Sequence, residues 1–261
     1  MTISFSKYHG AGNDFIIIDN RRKDLSLSTE QISLLCHRQF GVGADGLMLL
    51  EPHSNSDFHM RYFNSDGLEG TMCGNGGRCI AMFAFTNGIA SNKTLFCGAD
   101  GEHTAEIVNE NTVRLKMQDV SDINTEDEHY IINTGSPHFV QFVADVDHVD
   151  VTYQGRLIRK SYLQNNGGVN ANFAHFVADG IKLRTYERGV EDETLACGTG
   201  AVATAIAANH WFNEDKNTYV LFAKGGTLKV SFERVSESSY QNIWLEGPVA
   251  HVFDGSINLN R

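Results

Sequence analysis

Short apolar runs separated by glycine-rich or polar turns recur along the whole chain, and this pattern predicts β-strands. In the first half the predicted strands are 15–20, 46–50, 59–63, 94–97, 104–108 and 112–117. In the second half they are 130–133, 139–144, 173–178, 181–186, 218–223, 228–232 and 243–245. Predicted strands outnumber predicted helices, and the chain has three prolines, so the pattern favours an α+β fold.

Helical spacing is evident in a few places. Ser28 and Gln31 form a capping box, and Ile32 and Leu35 then give one apolar face, which predicts a helix that continues to about Phe40. The stretch 155–166 shows little periodicity, and helix and loop both stay open there. Three cysteines are expected in the core because free cysteine is usually buried: Cys36, Cys79 and Cys97.

Two helical segments carry no charge over much of their length. The first spans 80–85, follows the motif CGNGGRC at 73–79, and is expected to stop near Gly88. The second spans 197–208 and opens with CGTGA. A helix without a polar face belongs in an interior. Each segment is therefore predicted to run through the middle of its own sheet, with its N-terminus at a junction between two halves.

The spacing of matched positions predicts an internal duplication. Cys73 and Cys197 are separated by 124 positions (197 − 73), and Arg61 and Arg184 by 123 (184 − 61). Gly10 and Gly135, each before a turn and an apolar run, add a third anchor. We expect two domains, 1–118 with Cys73 and 119–261 with Cys197, which meet in the polar stretch 118–128. The last ten or so residues are expected to pack back on the first domain.

Composition excludes several classes of function. The chain has 261 residues, and its formal net charge of −11 disfavours nucleic acid or an anionic membrane as a partner. The first residues lack the apolar core of a signal peptide, and no run is long enough to span a membrane, which favours the cytoplasm. The five cysteines match neither a disulfide framework nor a metal site, so we expect thiols and no metal.

Two cysteines at helix N-termini suit proton transfer. The unpaired N–H groups and partial positive charge of a helix N-terminus favour a thiolate and also bind carboxylates. Two such sites that face each other would hold an amino-acid carboxylate with one sulfur on each side of its α-carbon. This arrangement suits stereoinversion, in which one sulfur removes the α-proton and the other delivers a proton to the opposite face. No cofactor motif is evident, so the predicted cofactor is none.

Five ordered blocks of the chain resemble the diaminopimelate epimerase family. They are HGAGNDF at 9–15, NSDG at 64–67, CGNGGRC at 73–79, SPH at 136–138, and ERG at 187–189 leading to ACGTG at 196–200. The resemblance implies a pyridoxal-independent isomerase that interconverts LL- and meso-diaminopimelate for lysine and peptidoglycan precursor biosynthesis. It also implies two pseudo-symmetric domains, each a mixed or antiparallel barrel-like sheet around a central buried helix, and a homodimer.

The resemblance also assigns roles to individual positions. Cys73 and Cys197 would be the catalytic proton acceptor and donor, and His138 and Glu187 would tune the two sulfurs. The reacting ammonium would be held by Glu187, and the reacting carboxylate by four residues, Gly74, Asn75, Gly198 and Thr199. The distal end of the substrate would be held by Asn13, Asn64, Asn170 and Arg188. A planar guanidinium suits bidentate binding of a carboxylate.

Three departures from the family pattern predict altered detail in the site. Ser136 stands where many members have asparagine, and Gly46 stands where some members have glutamine. The segment from Glu187 to Cys197 is one residue longer than the commonest pattern.

Other functions remain open on the sequence. A two-cysteine proline or hydroxyproline racemase would need an apolar ring pocket in place of Arg188 and the asparagines. A redox protein could use Cys73 and Cys197 as a reversible disulfide, and a binding protein could hold an amino acid without turning it over.

Overall fold

The computed structural model describes residues 2–71, 73–126, 128–163 and 167–259. Contacts divide the chain into two compact units. Unit 1 comprises Met1–Leu115 and Pro248–Arg261, and unit 2 comprises Lys116–Gly247. Each unit is a mixed, barrel-like sheet around one central buried helix, as the fold prediction has it. Among the described residues, no helix is long and apolar enough to cross a membrane.

The described residues of unit 1 form eight strands and two helices. In chain order they are β1 (Thr2–Gly10), β2 (Asn13–Asp19), α1 (Thr29–Cys36), β3 (Gly46–Glu51), β4 (Phe58–Asn64), α2 (Gly74–Thr86), β5 (Lys93–Gly98), β6 (Gly101–Asn109), β7 (Thr112–Lys116) and, after unit 2, β17 (Ala250–Asn258). Hydrogen bonding orders them as β17-β1-β2-β3-β4-β5-β6-β7. The β2–β3 and β4–β5 pairs are parallel and the others are antiparallel.

Unit 2 repeats this plan. Its elements are β8 (Ile123–Glu126), β9 (His129–Asn133), β10 (Pro137–Phe142), α3 (Val151–Ser161), β11 (Asn170–Val177), β12 (Gly180–Glu187), β13 (Asp192–Thr194), α4 (Gly198–Phe212), β14 (Thr218–Ala223), β15 (Gly226–Arg234) and β16 (Tyr240–Pro248). The order is β8-β9-β10-β11-β12-β14-β15-β16. Its parallel pairs, β10–β11 and β12–β14, occupy the same places as those of unit 1.

The helices that follow the two cysteine motifs are central, as predicted. Helix α2 packs against β1, β2, β3 and β6, and its residues from Asn75 to Ala84 are buried. Helix α4 packs against β9 to β12, β14 and β15, and its residues from Gly200 to Asn209 are buried. Helix α2 ends at Thr86, and Gly88 adopts the left-handed region at φ 65°. This agrees with the end predicted near Gly88.

Two helix boundaries differ from the sequence prediction. The capping box of Ser28 and Gln31 is present, but α1 ends at Cys36 rather than near Phe40. The following chain folds back, and the N–H groups of Val42 and Gly43 donate to the Leu35 carbonyl, which takes the place of further helical bonds. Helix α3 begins earlier than the ambiguous stretch, at Val151, because the Asp150 side chain caps it. Residues 164–166 of that stretch lie outside the described residues.

Of the three cysteines expected in the core, two are buried as predicted. Cys36 and Cys79 are buried. The prediction for Cys97 is wrong, since this residue is only partly buried and lies on the opposite face of β5 from Thr94 and Phe96.

In the part of the chain that the structure describes, the hydrophobic pattern did not predict four strands, β1, β8, β13 and β17. In β17 most side chains are exposed, so its sequence carries no apolar alternation to detect.

Candidate active site

In unit 1 Cys73 is the N-cap residue of α2, with extended backbone at φ −101° and ψ 129°. Its carbonyl accepts the first helical hydrogen bond, from the Gly77 N–H at 2.7 Å. The sulfur therefore stands beside the first-turn N–H groups of the helix, which favour negative charge. Gly74 and Asn75 open that first turn.

A tight turn brings Asn13 to this helix end. Ala11 and Gly12 join β1 to β2 with φ of 51° and 85°, the left-handed values of a two-residue hairpin turn. Gly10 is needed here because a Cβ on it would lie 2.9 Å from the Asn75 carbonyl oxygen. The Asn13 Oδ1 consequently accepts from the Cys73 Sγ at 3.6 Å and from the Asn75 Nδ2 at 3.3 Å.

A charged network holds the other side of Asn13. Its Nδ2 donates to the Asp45 Oδ2 at 2.7 Å, and the Asp45 Oδ1 accepts from Arg38 at 2.6 Å. Arg38 also donates to both carboxylate oxygens of Asp14, at 3.1 and 2.9 Å, and Lys7 pairs with Asp14 at 2.7 Å. Burial alone would raise the pKa of the Asp14 carboxyl, but the hydrogen bonds and charges of Arg38 and Lys7 hold it well below its usual value.

Arg78 places a fully buried guanidinium within the first turns of α2. Its Nη2 donates to the Asn75 Oδ1 at 2.8 Å and its Nη1 to the Gly74 carbonyl at 3.3 Å. Within the described residues, the Arg78 Nε–H is the one buried side-chain polar group without a hydrogen-bond partner. Burial lowers the pKa of Arg78, but an arginine pKa is high enough that the side chain stays charged.

In unit 2 Cys197 repeats the position of Cys73. It is the N-cap residue of α4, again extended, and its carbonyl accepts from the Ala201 N–H at 2.9 Å. The Cys197 Sγ lies 3.5 Å from the Thr199 Oγ1. The Thr199 carbonyl in turn accepts from the Thr134 hydroxyl at 3.0 Å, which ties the first turn of α4 to the end of β9.

His138 is fully buried in β10, one position before the predicted strand 139–144 begins. The Asn172 Nδ2 lies 3.0 Å from its Nδ1. This amide is oriented by two further partners, since Thr185 donates to its Oδ1 and its Nδ2 donates to the Phe139 carbonyl. The Nδ1 of His138 therefore accepts from Asn172, and its Nε2 lies 3.5 Å from the Asn170 Nδ2. Burial, aided by the charge of Arg188, lowers the pKa of His138 to about 3.

Asn170 connects two loops of unit 2. Its Nδ2 donates to the Ser136 Oγ at 2.9 Å, and its Oδ1 accepts from the Arg188 N–H at 2.8 Å. The Arg188 Nη1 donates to the Gly168 carbonyl at 3.2 Å. Ser136, the departure from the family's asparagine, thus contacts Asn170 directly.

The residues around Glu187 form a hairpin. Glu187 ends β12, and its Oε2 accepts from the Thr194 hydroxyl of β13 at 3.0 Å. In the β12–β13 turn, Gly189 and Glu191 have left-handed φ of 93° and 61°.

Asn64 and Gly46 are paired opposite each other on β4 and β3, and Asn64 is exposed. A Cβ on Gly46 would lie 2.6 Å from the Tyr62 ring and 2.7 Å from the Phe63 carbonyl oxygen. Tyr62 thus fills the space into which a longer side chain at position 46 would begin.

Within unit 1 the structure brings Asn13, Cys73, Gly74 and Asn75 together, whereas Asn64 is exposed at the end of β4. Within unit 2 it links Cys197 to Thr199, and His138, Asn170 and Arg188 to one another. Sequence reasoning missed three contributors: Asp45, Arg78 and Asn172. In the described part of the chain, no group of three or more His, Cys, Asp or Glu side chains is placed to hold a metal.

The comparisons with known proteins agree with this picture. The sequence model of the diaminopimelate epimerase family matches residues 5–122 and 130–252. A diaminopimelate epimerase of Flavobacterium psychrophilum is 47% identical over 96% of this chain and 98% of its own. The enzyme of Chlorobaculum tepidum is 42% identical over 96% of this chain and 99% of its own.

Solved structures share the fold at much lower identity. A PhzF-family protein of Bacillus anthracis has a TM-score of 0.76 at 14% identity, covering 99% of this chain and 100% of its own. A hydroxyproline epimerase of Agrobacterium vitis has a TM-score of 0.71 at 13% identity, covering 98% and 92%. By the match of the family over nearly its whole length, the chain belongs to the diaminopimelate epimerase family.

Proposed function

We propose that this protein is an isomerase that interconverts LL- and meso-2,6-diaminopimelate, a step in lysine and peptidoglycan precursor biosynthesis. One observation carries the proposal beyond family membership. Each repeated unit presents one cysteine at the N-cap of its central buried helix, Cys73 on α2 and Cys197 on α4. A reaction that needs one proton acceptor and one proton donor of the same chemical type requires such a pair.

The proposed chemistry is a two-base proton transfer. One cysteine, as thiolate, takes the α-proton, and the electron pair of the broken C–H bond stays on the α-carbon as a carbanion. The other cysteine, as thiol, gives its proton to the opposite face. Each turnover exchanges the protonation states of the two sulfurs, and no electrons leave the substrate.

The carbanion needs stabilisation, because an amino-acid α-proton is very weakly acidic. The first-turn N–H groups at Gly74 and Asn75, and at Gly198 and Thr199, would bind the reacting carboxylate. An oriented donor of this kind contributes about 3 kcal/mol to a transition state. We propose that the enzyme needs no cofactor.

The remaining roles are also proposals. Glu187 would hold the reacting ammonium, and the distal end would be held by Asn13, Asn64, Asn170 and Arg188. His138 would act on a sulfur as a neutral hydrogen-bonding group, because a pKa of about 3 excludes a charged imidazole near neutral pH.

We further propose that the enzyme acts in the cytoplasm as a homodimer with reduced cysteines. In the described part of the chain none of the five cysteines is in a disulfide, which suits a reducing compartment. Light scattering on the purified protein tests the dimer.

Exchange with deuterium tests the function. The protein is incubated with LL-diaminopimelate in D2O, and loss of the α-proton signal and formation of the meso isomer are followed by NMR. We expect both, and we expect Cys73→Ala and Cys197→Ala each to lower kcat at least about a thousandfold, as loss of a general acid–base group does. Full turnover by either variant would contradict the two-base assignment.

The same experiment separates the rival functions. Free proline and hydroxyproline serve as comparison substrates, and a racemase for these would exchange their α-protons faster than that of diaminopimelate. A protein that only binds amino acids would exchange none of them. A redox protein would instead show activity that depends on an added thiol.

A further inference from the structure

The hydrogen bonds around Asn13 and Asn75 run in one direction. Arg78 donates to the Oδ1 of Asn75, the Nδ2 of Asn75 donates to the Oδ1 of Asn13, and the Nδ2 of Asn13 donates to Asp45. A guanidinium has no acceptor, and an ionised carboxylate has no donor. The two ends of this series therefore fix both amides, and neither can flip without placing donor against donor or acceptor against acceptor.

The two ends are themselves held in place. Arg78 is fully buried, so no water competes with its bond to Asn75. Asp45 is 43% exposed, but its second oxygen accepts from Arg38 at 2.6 Å, and its Oδ2 also accepts from the Asp14 N–H at 3.2 Å. Strand register explains the last contact, since Phe15 pairs with Gly46 and brings Asp14 and Asp45 side by side.

The fixed orientation of Asn13 has a chemical consequence for Cys73. The atom that faces the sulfur at 3.6 Å is the carbonyl oxygen of Asn13, which can accept a hydrogen bond and cannot donate one. This bond exists only while Cys73 is a thiol. A hydrogen bond to the neutral form of a group favours that form, in opposition to the helix N-terminus, which favours the thiolate.

We propose that Asp45 is a positioning residue which, with Arg78 at the other end of the series, orients Asn13 so that Cys73 rests as the protonated member of the catalytic pair. This inference rests on the proposed function, in which Cys73 is one of two proton-transfer groups. Asp45 acts through Asn13 and touches neither the sulfur nor the substrate in this account.

The rate at which Cys73 is alkylated tests the proposal, and this test does not require catalysis. Iodoacetamide reacts with the thiolate, so its rate with Cys73, located by mass spectrometry of digested protein, reports the fraction of thiolate at each pH. Asp45→Leu removes the acceptor at similar size. We expect the rate at neutral pH to rise at least about threefold, and the midpoint of the pH profile to fall by about 0.5 unit.

A double-mutant cycle excludes a direct effect of the lost charge. Asp45→Leu is also measured in an Asn13→Ala background, where the series is interrupted. We expect Asp45→Leu to change the rate less than about 1.5-fold there. Equal effects in the two backgrounds would overturn the proposal, and so would an unchanged or slower rate in the single variant.

Two controls complete the design. Asp24 is an exposed residue on a loop of the same unit, so Asp24→Asn should not change the alkylation rate of Cys73. If Asp45→Leu does not fold by circular dichroism, Asp45→Asn replaces it in the cycle. The new amide must turn its NH2 group toward either Arg38 or Asn13, so it can accept from only one of them. The alkylation rate should therefore rise less than in Asp45→Leu, but in the same direction. A protein that shows the coupling but fails to epimerise diaminopimelate would contradict the proposed function. The control of Cys73 protonation by Asp45 would then be supported, but not its role in a catalytic pair.

Discussion

At the scale of single residues, Arg78 is unusual because its guanidinium is fully buried and donates to neutral oxygens, the Asn75 Oδ1 and the Gly74 carbonyl. A fully buried charge carries a desolvation cost that an apolar side chain of similar volume does not carry. Replacement of Arg78 by such a side chain would remove the hydrogen bond to the Asn75 Oδ1 and lower the free energy of unfolding by about 1–2 kcal/mol. The residue is thus better explained by its effect on Asn75 than by a contribution to stability.

We expect Arg78→Met to change the free energy of unfolding by less than about 2 kcal/mol, for the reasons just given. We expect it to lower kcat/KM at least about tenfold, because Asn75 and Asn13 are no longer oriented. Urea unfolding and steady-state kinetics on the same preparation measure both quantities. A variant that loses several kcal/mol but keeps full activity would show that Arg78 serves the fold alone.

His138 couples the stability of unit 2 to pH. In the unfolded chain the imidazole takes up a proton below its ordinary pKa of 6.5, whereas in the folded protein it does so only near 3. The unfolded state therefore binds more protons between these values, and the free energy of unfolding falls as the pH is lowered from 6.5. The slope for one such group is about 1.4 kcal/mol per pH unit.

We expect the wild type to lose about 2 kcal/mol more than His138→Gln between neutral pH and about pH 5. Both tryptophans, Trp211 and Trp244, lie in unit 2, so their fluorescence during urea unfolding reports this unit. His148→Gln is the matched control, because the His148 side chain is 87% exposed. Parallel pH curves for the wild type and His138→Gln would argue that His138 is protonated while folded.

At the scale of elements, the start of α4 is constrained by the strand beside it. A Cβ on Gly200 would lie 2.3 Å from the Oδ1 of Asn172, an amide that Thr185 and Phe139 hold in place. Glycine costs a helix interior up to about 1 kcal/mol relative to alanine. The cost is accepted here because the helix and the His138–Asn172 pair must approach each other closely.

We expect Gly200→Ala to lower the free energy of unfolding by about 1–3 kcal/mol, as overpacking does, in spite of its better helix propensity. Gly76→Ala in α2 is the control, because a Cβ there meets its nearest neighbour, the Met48 sulfur, at 3.3 Å. It should leave the stability unchanged or raise it by up to about 1 kcal/mol. Far-UV circular dichroism during thermal unfolding compares them, and equal shifts in both variants would argue against the steric account.

Strands and central helices could be predicted from the sequence because their signal is local. Buried runs such as 46–50, and the uncharged helix after Cys197, allow few other interpretations. The partners of the site could not be predicted in the same way. Asp45 reaches Asn13 through the parallel pairing of β2 and β3, and Asn172 reaches His138 through that of β10 and β11. Arg78 could have been noticed as the one charged residue in its helix. Its hydrogen bond to Asn75 could not be predicted, because it depends on the side-chain rotamers of both residues.

At the scale of the whole molecule, the duplication reaches beyond the motifs used to infer it. Arg61 pairs with Glu69 through two hydrogen bonds in unit 1, and Arg184 pairs with Glu193 in the same way in unit 2. The two glutamates are 124 positions apart (193 − 69), the same spacing as the two cysteines. The equal order of parallel and antiparallel pairs in the two units has the same origin.

Strand β17 also makes the two units complete at different times during synthesis. It pairs with β1 along its length, from Thr2 with Asn258 to His9 with Ala250, although all of unit 2 lies between them in the sequence. A ribosome therefore releases the whole of unit 2 before it has made the strand that β1 needs. Unit 2 can acquire its structure during translation, whereas β1 must wait with an unpaired edge, which is the interval in which a nascent chain is most exposed to aggregation and to chaperones.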